Sequence, residues 1–427
     1  MDRGRNMVDT ICYERVISVL RDEFDLECSE VRPIGRQHNN VTVICQLLLP
    51  TQKPCVQKNS KPGTVAIPCS TKLLMMQMPN AMQDNLMSIE NQVAMMQIIR
   101  PALTLNGLQL VPEVYGWSDC AKEGRWLIEE YKEGIDLHTT FARLNEFEKR
   151  TVLRQLALIV RRLQHCEIPS SFQGYGSAGF DYEGNVVNKS GSIALGGPFE
   201  TLTELYEGMW QAQLKNSDSS ALLQGWRVDS LRTRLERFGQ IGIAKVLHDD
   251  RDKMRVVVHG DICLQNVVFD PQTLSVTGLF DYELSYVASP VEEFLHSFHD
   301  VGGILSGVYG EAPEDLALRD AILYGFPDIL PTTLPNDEAV YKFGSERHVQ
   351  WDIAKIWDEE LEHAGVLRPR TLPAADRISR LYWFLQEVCQ FYFLRSRWLS
   401  SQTETQLAES RLKAKKVLQH YLDYWGF

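Results

Sequence analysis

The chain has 427 residues, of which 44% are hydrophobic and 23% are charged, and its formal net charge is −12. This composition is typical of a globular protein with room for two lobes or domains. The acidic charge argues against a nucleic-acid partner, which needs a basic surface to neutralise phosphates. No apolar run approaches the ~20 residues that span a bilayer, so we expect no membrane partner.

The cysteines and the start of the chain indicate a compartment. Nine cysteines are dispersed along the sequence without a Cys-x-x-Cys pair or a Cys/His ligand cluster. An odd, scattered set of thiols is typical of reduced cysteines and argues against a disulfide framework or a zinc site. Residues 1–9 are polar and charged and show no secretory signal. We therefore predict a cytoplasmic protein, whose oligomeric state the sequence leaves open.

The first predicted elements are a helix and a hairpin. Apolar side chains recur at helical spacing over residues 8–27. Residues 34–45 then combine a turn, with Gly35 and Asn39 near its tip, with an alternating strand. Backbone amides in such a turn can face phosphate oxygens, and an ordinary β-turn explains the same residues equally well.

An insertion separates this hairpin from the next strand. Residues 50–71 are rich in proline and lysine, a composition typical of an exposed segment. The strand over residues 73–79 carries Gln77 among apolar side chains, and an amphipathic helix is predicted to begin at Ser88. Glu90 lies in the first turn of that helix, where a carboxylate is favourable to the helix dipole whatever its function.

Two more strands and a turn are predicted from residues 111–117 and 126–134. Glu129 and Tyr131 lie at the end of the second strand, and Gly134 permits the chain to change direction. Helical periodicity returns over residues 137–164.

Residues 170–199 are glycine-rich. No Gly-x-x-x-x-Gly-Lys pattern occurs there, so we interpret this segment as a structural insertion rather than a phosphate cradle. The C-terminal third predicts further helices and is dense in tryptophan. These aromatic residues are expected to fill a helical core or to line a ligand pocket.

The segment from residue 256 to residue 281 carries the chemistry. Two apolar runs flank a polar loop, and a turn at Asp270 leads into a third run that ends at Asp281. On this layout of strand, loop, strand, turn and strand, Asp261 and Asn266 stand at the two ends of the loop. Together with Asp281 they can share one cavity. Phosphoryl transfer needs an acceptor for a hydroxyl proton and oxygen ligands for Mg²⁺, whereas the structural alternative is that these residues cap turns.

The order His-x-Asp, then Asn five positions later, then Asp at the end of a hydrophobic strand resembles the catalytic core of the protein-kinase-like superfamily. Gly260 inside this motif, and Asp-Tyr-Glu at 281–283, are more specifically similar to the aminoglycoside phosphotransferase and choline kinase family, above all to its divergent members in fungi. The resemblance runs from about residue 30 to the C-terminus, although its specific motifs are confined to 259–281.

The resemblance implies an α+β fold of two lobes. Residues 1–132 would form the N-terminal lobe, with a small antiparallel sheet, a nucleotide-covering hairpin and one main helix. Residues 133–427 would form a mostly helical C-terminal lobe with the catalytic loop and the acceptor pocket. ATP would bind in the cleft between the two lobes.

The same resemblance assigns roles residue by residue. Asp261 matches the catalytic base, Asn266 and Asp281 match the metal ligands, and His259 matches the histidine that braces the loop. The implied contacts of the nucleotide lie in the N-terminal lobe: the hairpin residues Gly35 and Asn39, the carbonyl of Glu129 and the amide of Tyr131. Glu293, in the segment 289–294, either braces the catalytic loop or starts a solvated helix, and we leave it out of the catalytic set.

Gln77 departs from the family pattern. The third strand of the family carries a lysine or arginine that grips the nucleotide phosphates, and Glu90 matches the glutamate that orients this cation. An amide donates hydrogen bonds but supplies no charge. Lys72, Arg36 or His38 would then provide the positive charge, or the grip is absent.

The sequence thus predicts a kinase that depends on ATP and Mg²⁺ and phosphorylates a hydroxyl group of a small molecule, with the identity of the acceptor open. After Asp281 the chain turns quickly into Pro290 and a predicted helix, which argues against a protein substrate. The alternative is a catalytically impaired kinase-like protein that binds nucleotide or regulates a partner. Gln77 favours this alternative, whereas the intact Asp261, Asn266 and Asp281 favour chemistry.

Overall fold

The computed structural model describes residues 2–34, 40–79, 88–120, 124–190, 196–227, 230–248, 254–331 and 349–427, with the backbone alone for residues 2–12. An antiparallel sheet dominates the N-terminal part and helices dominate the C-terminal part, which confirms the predicted two-part α+β fold. None of the helices in the described ranges combines the length and the apolarity needed to cross a membrane.

The strands of the described residues are β1 (Cys28–Ile34), β2 (Asn40–Leu47), β3 (Leu73–Pro79), β4 (Thr104–Leu105), β5 (Leu108–Gln109), β6 (Val114–Ser118), β7 (Trp126–Glu130), β8 (Ile135–Asp136), β9 (Ala178–Phe180), β10 (Val186–Asn188), β11 (Val256–Val258), β12 (Val267–Asp270), β13 (Ser275–Leu279) and β14 (Tyr286–Ala288). The α-helices are α1 (Asp2–Phe24), α2 (Ile89–Ile99), α3 (His138–Phe141), α4 (Glu146–Gln164), α5 (Leu202–Ser219), α6 (Leu231–Arg237), α7 (Ile243–Val246), α8 (Glu293–His296), α9 (Pro313–Tyr324), α10 (Trp351–His363), α11 (Ala375–Val388), α12 (Ser396–Ser401) and α13 (Glu404–Trp425).

The small sheet has the strand order β1-β2-β3-β7-β6, and neighbouring strands are antiparallel. Helices pack on both of its faces because side chains alternate along each strand. On one face Leu20 of α1 packs into a core that includes Ile128, and on the other face Val93 of α2 belongs to the core that includes Leu127. Helix α2 begins at the predicted position, where the Ser88 side chain accepts a hydrogen bond from the Asn91 amide.

The predicted order of strand, loop, strand, turn and strand over residues 256–281 is confirmed. Strand β11 pairs with β14, and β12 pairs with both β13 and β8. The loop between β11 and β12 is therefore anchored to two separate small sheets. This anchoring fixes the ends of the loop that carries Asp261 and Asn266.

Aromatic side chains fill the core of the helical part. Trp210 of α5 stacks on Phe384 of α11 with ring centroids 6.0 Å apart, and Phe238 lies 5.0 Å from Trp425 of α13. The C-terminal tryptophans also include buried members of this core, at positions Trp351, Trp357 and Trp383. Of the two readings of these aromatic residues, the structure favours the helical core.

The glycine-rich segment contains more order than the sequence indicates. Strands β9 and β10 pair within it to form a short hairpin. This hairpin packs on α2, because Asn91 accepts a hydrogen bond from the Ala178 amide at 2.8 Å. The insertion therefore connects the helical part of the molecule to the main helix of the small lobe.

Candidate active site

Gly260 gives the catalytic loop its shape. Its φ is +81°, and a Cβ at this position would lie 2.6 Å from the carbonyl oxygen of Leu284. Only glycine tolerates both the left-handed conformation and the close approach of backbone. The glycine between His259 and Asp261 is thus required by the path of the chain into the site.

Glu293 holds the start of this loop. One of its carboxylate oxygens accepts a hydrogen bond from the backbone N–H of His259 at 2.7 Å. The other accepts a hydrogen bond from the backbone N–H of Gly260 at 3.1 Å. The side chain is buried, and burial raises the pKa of its carboxyl. Of the two readings of Glu293, the structure shows the one in which it braces the catalytic loop.

The fully buried His259 braces the loop from inside. Its Nδ1 accepts the backbone N–H of Asp261 at 3.2 Å, so its Nε2 carries the proton and donates to the carbonyl of Phe280 at 3.1 Å. Burial lowers the pKa of His259 to about 3, so the ring stays neutral. The ring also packs against Tyr282, with centroids 4.8 Å apart. His259 is a support for the loop rather than a reacting group.

The peptide of Phe280 brings the three predicted catalytic residues together. Its carbonyl accepts from His259, and its N–H donates to the backbone carbonyl of Asn266 at 2.9 Å. Asp281 follows immediately, so the end of the β12–β13 hairpin lies against the loop that carries Asp261 and Asn266. The predicted convergence of these side chains is therefore what the fold produces.

Asn266 orients the proposed base. Its Nδ2 donates to the carboxylate of Asp261 at 2.8 Å and to the backbone carbonyl of Asp261 at 2.9 Å. Both bonds use the nitrogen, so the amide oxygen remains as the atom that can bind a cation. Burial raises the pKa of Asp261, and the charge of Asp300 adds to this effect, while the Asn266 bond and His299 act in the opposite direction.

Asp281 has the features of a cation ligand. It adopts a left-handed conformation, with φ +66° and ψ +64°, directly after the hairpin. Its Oδ1 is buried, and within the described residues this atom has no hydrogen-bond partner. Burial raises the pKa of Asp281 well above its ordinary value, and the charges of Glu283, Asp261 and Glu129 raise it further. A buried cluster of carboxylates with an orphaned oxygen fits the binding of a hard divalent cation.

Gln77 is paired with a residue of α2 other than Glu90. It is a buried residue of β3 whose Oε1 accepts a hydrogen bond from Nε2 of Gln92 at 2.9 Å. Gln92 is a buried residue of α2. Two neutral amides therefore meet at the position of β3 where the resemblance implies a cation.

Glu90 contacts the insertion hairpin instead. Its carboxylate accepts from Lys189 Nζ at 2.6 Å and from the backbone N–H of Phe180 at 2.9 Å. Residues two apart on an α-helix lie about 200° apart around its axis, so Glu90 and Gln92 cannot both face Gln77. Gln92 faces Gln77 and Glu90 faces the insertion hairpin, and sequence spacing alone left this rotation of the helix open.

Three residues were predicted as alternative sources of the positive charge that Gln77 lacks, and the structure describes one of them, Lys72. Lys72 is exposed and precedes β3, about 16 Å along the strand from Gln77 at ~3.3 Å per residue, so it does not stand in for the missing cation. Arg36 and His38 lie outside the described residues, as do the predicted hairpin contacts Gly35 and Asn39.

The proposed adenine contacts lie on the last strand of the small sheet and the residue after it. Glu129 pairs with Met75 of β3 and with Val114 of β6. Its side chain is 1% exposed, and burial raises the pKa of this carboxyl to about 8. Tyr131 is half-buried and follows β7. The roles of Glu129 and Tyr131 toward a nucleotide remain predictions.

Asn40 of the small lobe contacts the site through Glu283. At the start of β2, its Nδ2 donates to the Glu283 carboxylate at 2.7 Å. Sequence reasoning missed Asn40, Glu283 and Gln92. The Asp-Tyr-Glu variant at 281–283 was the available signal for Glu283, whereas nothing in the spacing identified the other two.

A neutral loop histidine, a positioned aspartate and a cluster of carboxylates on a two-part α+β scaffold are typical of a kinase-like phosphotransferase. The sequence matches the family described as the phosphotransferase enzyme family (APH) over residues 70–322, more than half of the chain, and the protein belongs to this family. A comparison with curated proteins gave no match.

Solved structures similar to this chain include three aminoglycoside phosphotransferase complexes. APH(2'')-IIa with streptomycin and ATP shares 13% identity, over 97% of this chain and 98% of that one, with a TM-score of 0.49. ADP-bound APH(2'')-Ib shares 14% sequence identity, over 96% of this chain and 99% of that one, with a TM-score of 0.46. A thermostable APH(4)-Ia mutant with AMP-PNP and hygromycin B shares 12% sequence identity, over 95% of this chain and 98% of that one, with a TM-score of 0.46. Similarity at this level carries no substrate from those proteins to this one.

Proposed function

We propose that this protein is a kinase that uses ATP and Mg²⁺ to phosphorylate a hydroxyl group of a small molecule. The observation that carries the proposal is the proximity of Asp261, Asn266 and Asp281, with a buried carboxylate oxygen of Asp281 left without a partner in the described residues. A protein that only binds nucleotide has no need of a positioned base.

Asp261 is the proposed base. Its carboxylate is held by Nδ2 of Asn266, and its backbone N–H is held by His259, so the side chain has a fixed orientation. When the acceptor hydroxyl attacks the terminal phosphate, Asp261 accepts the hydroxyl proton. The partial burial of Asp261 raises its pKa and makes it a stronger base than an exposed aspartate.

The amide oxygen of Asn266 and the carboxylate of Asp281 are the proposed ligands of Mg²⁺. Their chemistry fits, because magnesium prefers hard oxygen ligands and retains several waters. When bound, the ion neutralises phosphate charge. Glu283 adds negative charge beside Asp281, which favours a cation there.

The nucleotide is proposed to lie between the small sheet and the catalytic loop, with its adenine ring against the backbone of Glu129 and Tyr131. The neutral pair of Gln77 and Gln92 supplies hydrogen bonds without charge, so the phosphate grip is expected to be weaker than one made by a lysine. This pair also supports the second candidate function, a nucleotide-binding regulator without turnover.

One experiment separates these two functions. Purified protein is incubated with MgATP and with each member of a panel of hydroxyl compounds, and phosphate transfer is followed by phosphorus NMR. Asp261→Asn serves as the matched control. Transfer to an acceptor that disappears in the variant supports the kinase. Binding of MgATP without acceptor phosphorylation or ATP hydrolysis above the Asp261→Asn background supports the regulator.

A further inference from the structure

A second set of ligand-type side chains lies beside the catalytic loop. The Sγ of Cys263, a ring nitrogen of His299 and a carboxylate oxygen of Asp300 are all within 4.8 Å of one another. Cys263 is 5% exposed, and His299 and Asp300 are half-buried. The proposed transfer reaction uses none of these three groups directly.

Backbone contacts bring the three residues together. Cys263 lies in the catalytic loop, and His299 and Asp300 follow α8. The N–H of Phe298 donates to the carbonyl of Ile262 at 2.8 Å. The N–H of Leu264 donates to both carboxylate oxygens of Asp300, at 3.2 and 3.0 Å. The two segments are joined on either side of Cys263, so the side chains are held near one another before any ligand arrives.

The donor set selects the class of cation. Thiolate and imidazole are ligands of Zn²⁺ and other borderline or soft metals, whereas Mg²⁺ takes oxygen ligands. In a tetrahedral zinc site neighbouring ligand atoms are roughly 3.3–3.7 Å apart, so the cluster needs to contract by about 1 Å. His138 of α3 lies 4.0 Å from the Asp300 carboxylate, where it can support the carboxylate from outside the ligand set.

We propose that Cys263, His299 and Asp300 form a binding site for a divalent cation of the zinc class, separate from the proposed magnesium ligands, and that its occupation inhibits phosphoryl transfer. Cys263 is two residues from Asp261 on the same loop. Contraction of the cluster around a dication moves Cys263, and with it the loop that positions Asp261 against the acceptor, and a shift of about 1 Å at a reacting group slows transfer. The inhibition rests on the proposed function, whereas the binding does not.

Cobalt is the probe for binding, because a cobalt–thiolate bond gives a near-ultraviolet charge-transfer band. Co²⁺ is titrated into the full chain without nucleotide or acceptor, followed by Zn²⁺. The wild type is expected to show the band, and Zn²⁺ is expected to remove it. Cys263→Ser is expected to lack the band, and Cys389→Ser, which removes an equally buried thiol elsewhere, is expected to keep it. A wild type without the band, or a Cys263→Ser variant that retains it, overturns the site.

His299→Gln gives an independent reading if Cys263→Ser does not fold. It retains the thiolate and removes one ligand, so the band is expected to persist while Co²⁺ affinity falls more than about 10-fold. Unchanged affinity overturns the proposed ligand set.

Once an acceptor is verified, Zn²⁺ is expected to inhibit the wild type at more than about 10-fold lower concentration than it inhibits His299→Gln. Equal inhibition of both overturns the inhibitory half of the proposal.

Discussion

Asp261 is held in place by two hydrogen bonds from Asn266 and one to His259, and replacing its carboxylate tests its chemistry. Asp261→Asn conserves the size of the side chain and removes its ability to accept a proton. We expect kcat to fall by ~10²–10⁴-fold. MgATP affinity should change little, because the base acts on the acceptor. Kinetics with a verified acceptor and calorimetry with MgATP measure the two effects. Asp270→Asn, in the nearby turn, is the control, and normal turnover by Asp261→Asn would remove the catalytic assignment.

The pH dependence of transfer follows from the same residue. Burial and the charge of Asp300 raise the pKa of Asp261, and only the deprotonated carboxylate accepts a proton. Activity should therefore fall on acidification with a midpoint above the ~3.9 of an ordinary aspartate. Asp300→Asn removes a negative neighbour, so the midpoint should move to lower pH. The measurement is kcat/KM against pH for both proteins, and an unmoved midpoint contradicts the electrostatic account.

Asp281 is expected to act on the metal and not on the acceptor. Asp281→Asn removes the charge that attracts a cation and relieves the repulsion among the clustered carboxylates. Nucleotide affinity in the presence of Mg²⁺ should fall, because phosphate charge is then less well neutralised. Titration of ATP with and without Mg²⁺ into both proteins provides the test. The same gain in affinity from Mg²⁺ in wild type and variant would exclude Asp281 as a ligand.

At the scale of single residues, the sequence predicted those candidate site residues that lie close together along the chain. His259, Asp261, Asn266 and Asp281 lie within one short segment whose apolar runs define the strands around them. The site formed by Cys263, His299 and Asp300 escaped the same reasoning. Its ligands are separated in sequence, and the backbone bonds that join them depend on tertiary packing.

At the scale of elements, β3 and α2 are matched to each other through Gln77 and Gln92. Gln77→Lys alone places a charge against a buried amide, which should lower the free energy of unfolding. The double variant Gln77→Lys/Gln92→Glu restores an ion pair, and we expect it to recover stability and to bind MgATP more tightly than the wild type. Thermal unfolding and calorimetry measure these two changes.

Glu90 provides the control for this exchange. Because its carboxylate is bonded to Lys189 and Phe180, Glu90→Gln should leave the gain of the double variant in place. If Glu90→Gln abolishes the gain, then Glu90 and not Gln92 is the partner of residue 77. The helix itself was predictable from its amphipathic pattern, whereas its rotation toward β3 was not, because docking of α2 against the insertion hairpin decides it.

At the scale of the molecule, the small lobe is connected to the large one through α2. Asn91 is 3% exposed, and its side chain contacts two segments of the large lobe: it accepts from the Ala178 amide at 2.8 Å and donates to the Ser285 carbonyl at 3.0 Å. The family resemblance predicted two lobes with a boundary after residue 132, and that boundary remains a prediction. The resemblance does not indicate this connection, because the sequence predicts only a structural insertion where Ala178 lies.

Asn91→Leu should loosen the connection between the lobes. The substitution conserves the branched shape of the side chain but leaves the Ala178 N–H and the Ser285 carbonyl without their partner in a buried place, at a cost of about 1–3 kcal/mol. Because Ser285 lies four residues after Asp281, MgATP affinity should fall together with stability. Urea unfolding and calorimetry measure both quantities, with Gln97→Ala, at an exposed position of the same helix, as the control. An Asn91→Leu protein as stable as this control would show that α2 is held to the large lobe by apolar packing alone.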